Sequence, residues 1–169
     1  MSAVSQEIPY KIGCLVYLYD ERGHLLLLHR RQSPNQGLYS PIGGKLHMDE
    51  GESPMACALR EIREEVELDL SPGELHLTGI VSETAYQNEN HWLLFLYEVT
   101  HPVTVTRMEF REGTLEWHAW EDIAGLDLPR TDREVIYPLI RKYHDRFFHV
   151  HIDYNDGNLD WRLEHPVGG

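Results

Sequence analysis

Residues 43–68 read GGKLHMDEGESPMACALREIREEVEL: a glycine pair, a polar loop, then a helix with two unlike faces. Ser53 is a good N-cap, and Pro54 takes the first helical position, where its missing N–H costs nothing. Met55, Ala58, Leu59, Ile62 and Val66 recur at helical spacing and form one apolar stripe for burial. Glu61 and Glu65 are four residues apart and Glu64 is three from Glu61, so all three are expected to project to one side, away from that stripe. Like charges so placed destabilise a bare helix by about 0.2–0.5 kcal/mol per pair, which Arg60 and Arg63 partly offset. On an arbitrary helix such a face is simply solvated. Here the carboxylates cluster tightly, and Gly43-Gly44 lets the backbone approach a metal or a phosphate. Hard carboxylate oxygens in that arrangement suit magnesium, which takes a few carboxylates together with water and phosphate oxygens.

Upstream, Lys11 to Tyr19 and His24 to Arg30 read as two strands of a hairpin around Asp20-Glu21-Arg22-Gly23, and 32–41 read as loop. Downstream, Ser71-Pro72-Gly73 stops the helical segment, and strands are expected at 75–84 and 91–99, joined by a polar turn over 86–90. A short strand near Trp117–Trp120, a helical turn near 121–124 and a helix over about 132–144 follow. The tail, 147–154 and 159–163 around Asn155-Asp156-Gly157-Asn158, reads as a closing hairpin. Strands dominate over two real helices. The pattern is α+β, a mixed β-sheet flanked by helices.

The 169 residues fit one domain, and a hydrophobic share of 41% argues against disorder throughout. The net charge of −13 repels polyphosphate backbones, so no nucleic-acid polymer is expected as partner. A small phosphorylated ligand remains compatible when a divalent metal supplies local positive charge. Cys14 and Cys57 are too few for a disulfide framework and read as ordinary buried thiols of a cytoplasmic protein. The opening MSAVSQEIPYK lacks the apolar region of a signal peptide, and no apolar run is long enough to span a bilayer; no membrane association is expected.

The stretch resembles the Nudix box, whose pattern is G-x5-E-x7-R-E-U-x-E-E-x-G-U with U aliphatic. Glu52 is followed after seven residues by Arg60-Glu61-Ile62-Arg63-Glu64-Glu65-Val66-Glu67-Leu68, so the R-E-U-x-E-E core is intact. Two departures stand out. Gly44 lies eight positions before Glu52 instead of six, which enlarges the loop at 47–50. Glu67 replaces the late glycine, and the helix is expected to run on towards Ser71. The resemblance implies a Nudix fold, an α/β/α sandwich, as a single domain over 1–169 with the box at about 44–68. It implies a hydrolase with magnesium as cofactor, manganese able to substitute, in which Glu61 and Glu65 are the main metal ligands, with Glu64, Glu112 and Gly44 joining them. It also implies that Arg60 pairs with Glu52 to hold the loop. Glu112 is drawn from Arg111-Glu112-Gly113-Thr114-Leu115-Glu116-Trp117, which is similar to a MutT-like stretch ending in E-W; its bland reading is a surface acid.

The implied reaction is metal-assisted hydrolysis of a diphosphate linkage, with either Glu64 or Glu112 accepting the proton of water. Arg30 or Arg31, at the end of the second strand, is a candidate phosphate clamp. The later sequence looks like the MutT-related nucleoside triphosphate branch, whose members act on oxidised purine nucleotides and release nucleoside monophosphate and pyrophosphate. The positions that read the base there fall near Ser40 and Asp132. Tyr39, Tyr86, Trp92 and Trp117 are stacking candidates, each read first as core. The runner-up is an ADP-ribose or nucleotide-sugar pyrophosphatase; a non-catalytic ligand sensor is the third reading. The partner is a small nucleotide-type substrate, and the protein is expected as a monomer or homodimer. His149 and His151 alternate as zinc ligands do, but without a third ligand at metal spacing they read as strand residues, as do His47 and His118.

Overall fold

A computed structural model describes residues 7–86, 89–155 and 157–165, with the side chains of 85, 86 and 155 excepted. The start of the chain over 1–6, the centre of the turn at 87–88, Asp156 of the closing turn and the Tyr86 side chain therefore lie outside the described residues. The strands are β1 (Tyr10–Tyr17), β2 (Leu25–Arg30), β3 (Tyr39–Ser40), β4 (Ile42–Lys45), β5 (Leu75–Tyr86), β6 (Asn90–Val99), β7 (Glu109–Phe110), β8 (Gly113–His118), β9 (Phe148–Asn155) and β10 (Asn158–Leu163). The helices are α1 (Pro54–Val66), α2 (Trp120–Ile123) and α3 (Tyr137–Lys142), the last continuing a π-helical segment, Asp132–Ile136.

A six-stranded sheet runs β10-β9-β5-β6-β1-β4, and a four-stranded sheet runs β3-β2-β8-β7. In the larger sheet β1 pairs parallel with β6, and β5 parallel with β9; the other pairs are antiparallel. Strand alternation sorts side chains between two cores. Cys14, Val16, Tyr97 and Val99 pack with Cys57, Ala58, Ile62 and Val66 of α1 on one face. Tyr17, Val81, Leu96 and Phe148 pack with Val135, Ile136 and Ile140 of the last helix on the other. A register shift between Leu77 and Gly79 lets β5 serve both cores, Leu75 on the first and Val81 on the second. The layers are helix, sheet, helix.

Strands β1 and β2 do not form the expected hairpin. After one bridge, Tyr19 to Leu25, they part into different sheets. The cause is written in Leu25–Leu28, all 0% exposed: a strand buried on both faces must lie between two layers. Leu26 and Leu28 enter the first core, Leu25 and Leu27 the second. The expected loop also contains β3, and Trp120 belongs to α2 instead of the preceding strand.

The start of α1 follows its sequence: the Ser53 side chain accepts from the Ala56 N–H. Its end does not. The helix stops at Val66, because Glu67 itself adopts the left-handed cap at φ 59°. Arg107 compensates for the missing glycine, its guanidinium donating to the Glu64 carbonyl at 3.0 Å and to the Glu67 carboxylate at 3.4 Å. A cation at a helix C-terminus also meets the negative end of the dipole.

Candidate active site on the acidic helix

Antiparallel pairing of β4 with β1 lays the glycine pair against the side of α1. Gly43 sits at φ 151°, and a Cβ there would fall 2.1 Å from the Cys14 carbonyl oxygen. Its N–H donates to Glu65 Oε2 at 3.0 Å. A Cβ on Gly44 would fall 2.1 Å from Glu61 Oε1. The two glycines thus make room for two carboxylates. The Gly44 carbonyl lies 3.6 Å from the Cys57 thiol.

The three helix acids differ widely in exposure. Glu65 is 3% exposed, the Glu61 side chain 12%, and that of Glu64 57%. The reason is the close approach of β4, which roofs Glu61 and Glu65 and leaves Glu64 outside. Burial, then the charges of Glu61 and Glu112, push the Glu65 carboxyl up to about 9. Burial also raises Glu61, against the pull of Arg60. Among the described residues the sole hydrogen bond to Glu65 is from the Gly43 backbone. A buried carboxylate with so little compensation calls for a cation. The donor set is hard oxygen, in keeping with magnesium or manganese.

Arg60 organises the loop. Its Nε and Nη2 donate to Glu52 Oε1 and Oε2 at 2.7 and 3.0 Å, and Nη2 reaches the Lys45 carbonyl at 3.1 Å. Its Nη1 donates to Glu61 Oε1 at 2.8 Å and to Glu64 Oε2 at 3.3 Å. The Arg60 fork holds Glu52 down to about 2, helped by the His47 N–H that donates to Glu52 Oε2 at 2.9 Å. The enlarged loop closes with a 3-10 turn, Met48–Glu50, and Gly51 in the left-handed region at φ 65°. Two extra residues are absorbed without disturbing the pair.

Glu112 is brought to the same place. It lies in the β7–β8 turn, its carbonyl accepts from the Arg31 N–H at 2.8 Å, and its charge reaches both Glu61 and Glu65. Gly113 makes this approach: at φ 157°, any Cβ would lie 2.0 Å from the His29 carbonyl oxygen. That glycine was the unread signal beside Glu112. Of the two arginines, Arg30 faces Glu65 closely enough to lower it, while its Nε donates to the Pro34 carbonyl at 2.7 Å. Arg31 is engaged instead by Glu109.

The base-reading candidates are more scattered. Ser40 Oγ is buried without a hydrogen-bond partner, but no hydrogen bond among the described residues joins it to Asp132. Asp132 lies deep in the protein with part of its surface open, and burial lifts it to about 7. Beside it, burial and the Asp132 charge push Glu83 up to about 8. Glu83 Oε1 and the hydroxyls of Tyr17 and Tyr137 are buried and unpartnered. Sequence patterning missed these three, since a glutamate or tyrosine in a strand or helix carries no mark of its buried surroundings. Tyr39 stacks on His29 at 4.4 Å between centroids, and Trp117 packs against the first core. His151 is held by Ser82 at 2.7 Å and Thr84 at 3.1 Å. No helix among the described residues is long and apolar enough to cross a membrane.

The NUDIX domain family model matches residues 9–143. A mutator MutT protein from Bacillus halodurans superposes with a TM-score of 0.71 at 24% identity, covering 92% of this chain and 99% of that one. The MutT protein of Methanosarcina mazei gives 0.68 at 26% identity over 83% of this chain and 99% of its own. In sequence, the chain is 28% identical over 107 residues to the uncharacterised Nudix hydrolase YvcI of Bacillus subtilis. That match spans 62% of this chain and 66% of YvcI, just under two thirds.

Proposed function

The chain belongs to the NUDIX domain family, and on that premise we propose that it is a divalent-metal-dependent hydrolase of a diphosphate linkage in a small nucleotide. The substrate class is a nucleoside triphosphate, oxidised purine deoxynucleotides among them. Water adds at phosphorus, the P–O bond to the departing pyrophosphate breaks, and nucleoside monophosphate and pyrophosphate leave. The observation that carries this reading is the buried pair Glu61 and Glu65, roofed by glycines, with Glu112 beside it.

Glu61 and Glu65 would hold magnesium, or manganese in its place, with Glu64 and Glu112 at the margin. Bound there, the ion would neutralise charge on phosphate oxygens and lower the pKa of the attacking water. The protein's own groups do the rest. Arg60 fixes the loop through Glu52 and orients Glu61. Glu64, the more open of the helix acids, or Glu112 takes the proton from water. Arg30, whose charge reaches Glu65, supplies a cation for a phosphate oxygen. Asp132, part of whose surface is open, offers an acceptor to the N–H edge of a purine.

A phosphate-release panel with magnesium tests the substrate. Undamaged and oxidised dNTPs, ADP-ribose and nucleotide sugars are compared at equal concentration. Turnover of dNTPs to monophosphate and pyrophosphate is expected. Rapid turnover of ADP-ribose with dNTPs inert would overturn the triphosphate reading and keep the family.

A further inference from the structure

On the face of the larger sheet away from α1, the turn after α3 places His144 and Asp145 beside Glu98 of β6. They border a cleft of about 480 Å³ that Tyr19, His76, His101 and Trp120 also line. The Glu98 side chain is only 4% exposed. Its Oε1 accepts from the Tyr19 hydroxyl at 3.0 Å, and its Oε2 faces His144 Nδ1 at 3.4 Å. The other ring nitrogen of His144 lies 3.5 Å from Asp145 Oδ1.

Those two His144 distances exceed the roughly 2.7–3.2 Å of a good N–H···O hydrogen bond. An imidazole gives a single ion one nitrogen only, and with Nδ1 in that role the 3.4 Å to Glu98 Oε2 matches something else. Two ligands each about 2.1 Å from a tetrahedral dication lie about 3.4 Å apart. One donor atom from each of Glu98, His144 and Asp145 falls within 4.8 Å of the others. The Asp145 side chain, 84% exposed, is free to turn inward and tighten the set. Charge points the same way. Among the described residues the one guanidinium lining the cleft, Arg141, is drawn to Glu121 at 3.6 Å and to the Trp120 ring, and burial raises the Glu98 carboxyl. Beyond the Tyr19 hydroxyl on Oε1, the buried carboxylate has imidazoles as its neighbouring cationic groups.

We infer that Glu98, His144 and Asp145 form a second cation site, separate from the acidic helix, that takes a first-row transition-metal dication such as zinc, with water completing its shell. One imidazole and two carboxylates favour that class over magnesium, which prefers oxygen alone. The ion would pin the turn after α3 to the sheet through Glu98. Its role is structural, and it does not depend on the proposed hydrolysis.

Zinc is the probe. Equilibrium dialysis with zinc in millimolar magnesium is run on the wild type, His144→Ala, Asp145→Asn and Glu65→Gln, with thermal melts alongside. The wild type and Glu65→Gln should each retain one zinc and gain melting temperature from it. His144→Ala, a change at a half-exposed side chain, should weaken zinc at least tenfold and lose the thermal gain, and Asp145→Asn should weaken it less. Equal zinc retention in His144→Ala, loss of zinc in Glu65→Gln, or no retention by the wild type would each overturn the site, leaving Glu98 and His144 as a plain ion pair.

Discussion

Glu65 shows how one residue's burial carries both cost and purpose. Its carboxyl, pushed up to about 9, is protonated in the metal-free protein at neutral pH. A raised carboxyl stabilises the fold below its unfolded pKa of about 4.3 and loses that contribution as pH rises through the folded value. Glu83, up to about 8, and Asp132, up to about 7, act in the same direction. The metal-free protein is therefore expected to lose melting temperature steadily between pH 5 and 9. Glu65→Gln should flatten that decline and fold normally, yet lose about a hundredfold or more of turnover, at least what loss of a group supporting a metal ligand costs; near-normal turnover would put the metal elsewhere. Glu83→Gln should match the wild type at pH 5 and exceed it at pH 8 by at least about 1 kcal/mol in denaturant titration. Equal stability at both pH values would mean that Glu83 finds a partner. The clustering of Glu61, Glu64 and Glu65 was legible because the three have fixed helical spacing. Their unequal burial was not, since it depends on how closely β4 approaches, which helical periodicity does not encode.

At the level of elements, the site depends on β4 lying flat on α1. Gly44→Ala would drive a methyl group into Glu61 Oε1, where only 2.1 Å is available. That substitution should cut activity at least tenfold with little loss of helix content by circular dichroism; unchanged activity would show that Glu61 has room to move. At the other end of α1, Glu67→Gly removes a left-handed non-glycine residue, worth about 0.5–1 kcal/mol of stability, less whatever the Arg107 contact contributes. A chemical melt should show a small gain, and a loss would mean that Arg107 outweighs the strain. The start of α1 was readable from Ser53-Pro54 because capping is local. Its end was misjudged because the compensation comes from Arg107, forty residues away in sequence. The hairpin at Asp20–Gly23 failed for a similar reason: its turn chemistry is local, while the four leucines 25–28 answer to layers contributed by the rest of the chain.

Across the whole molecule, two cores on opposite faces of one sheet hold the box helix and the last helix apart. The acidic chain, with net charge −13, buries carboxylates in two places, where α1, β4 and the Glu112 turn meet and where Glu83 faces Asp132. Architecture and charge could be foreseen from patterning and composition; the meeting of distant segments such as Glu83 with Asp132, or Glu98 with His144, could not. The central claim is that the α1 carboxylates hold a dication. Electron paramagnetic resonance of manganese at pH 8, on a His144→Ala background to silence the second site, measures this directly. Bound manganese should be present with Glu61 and Glu65 intact and lost when both are changed to glutamine. Equal manganese binding by the two proteins would contradict the account.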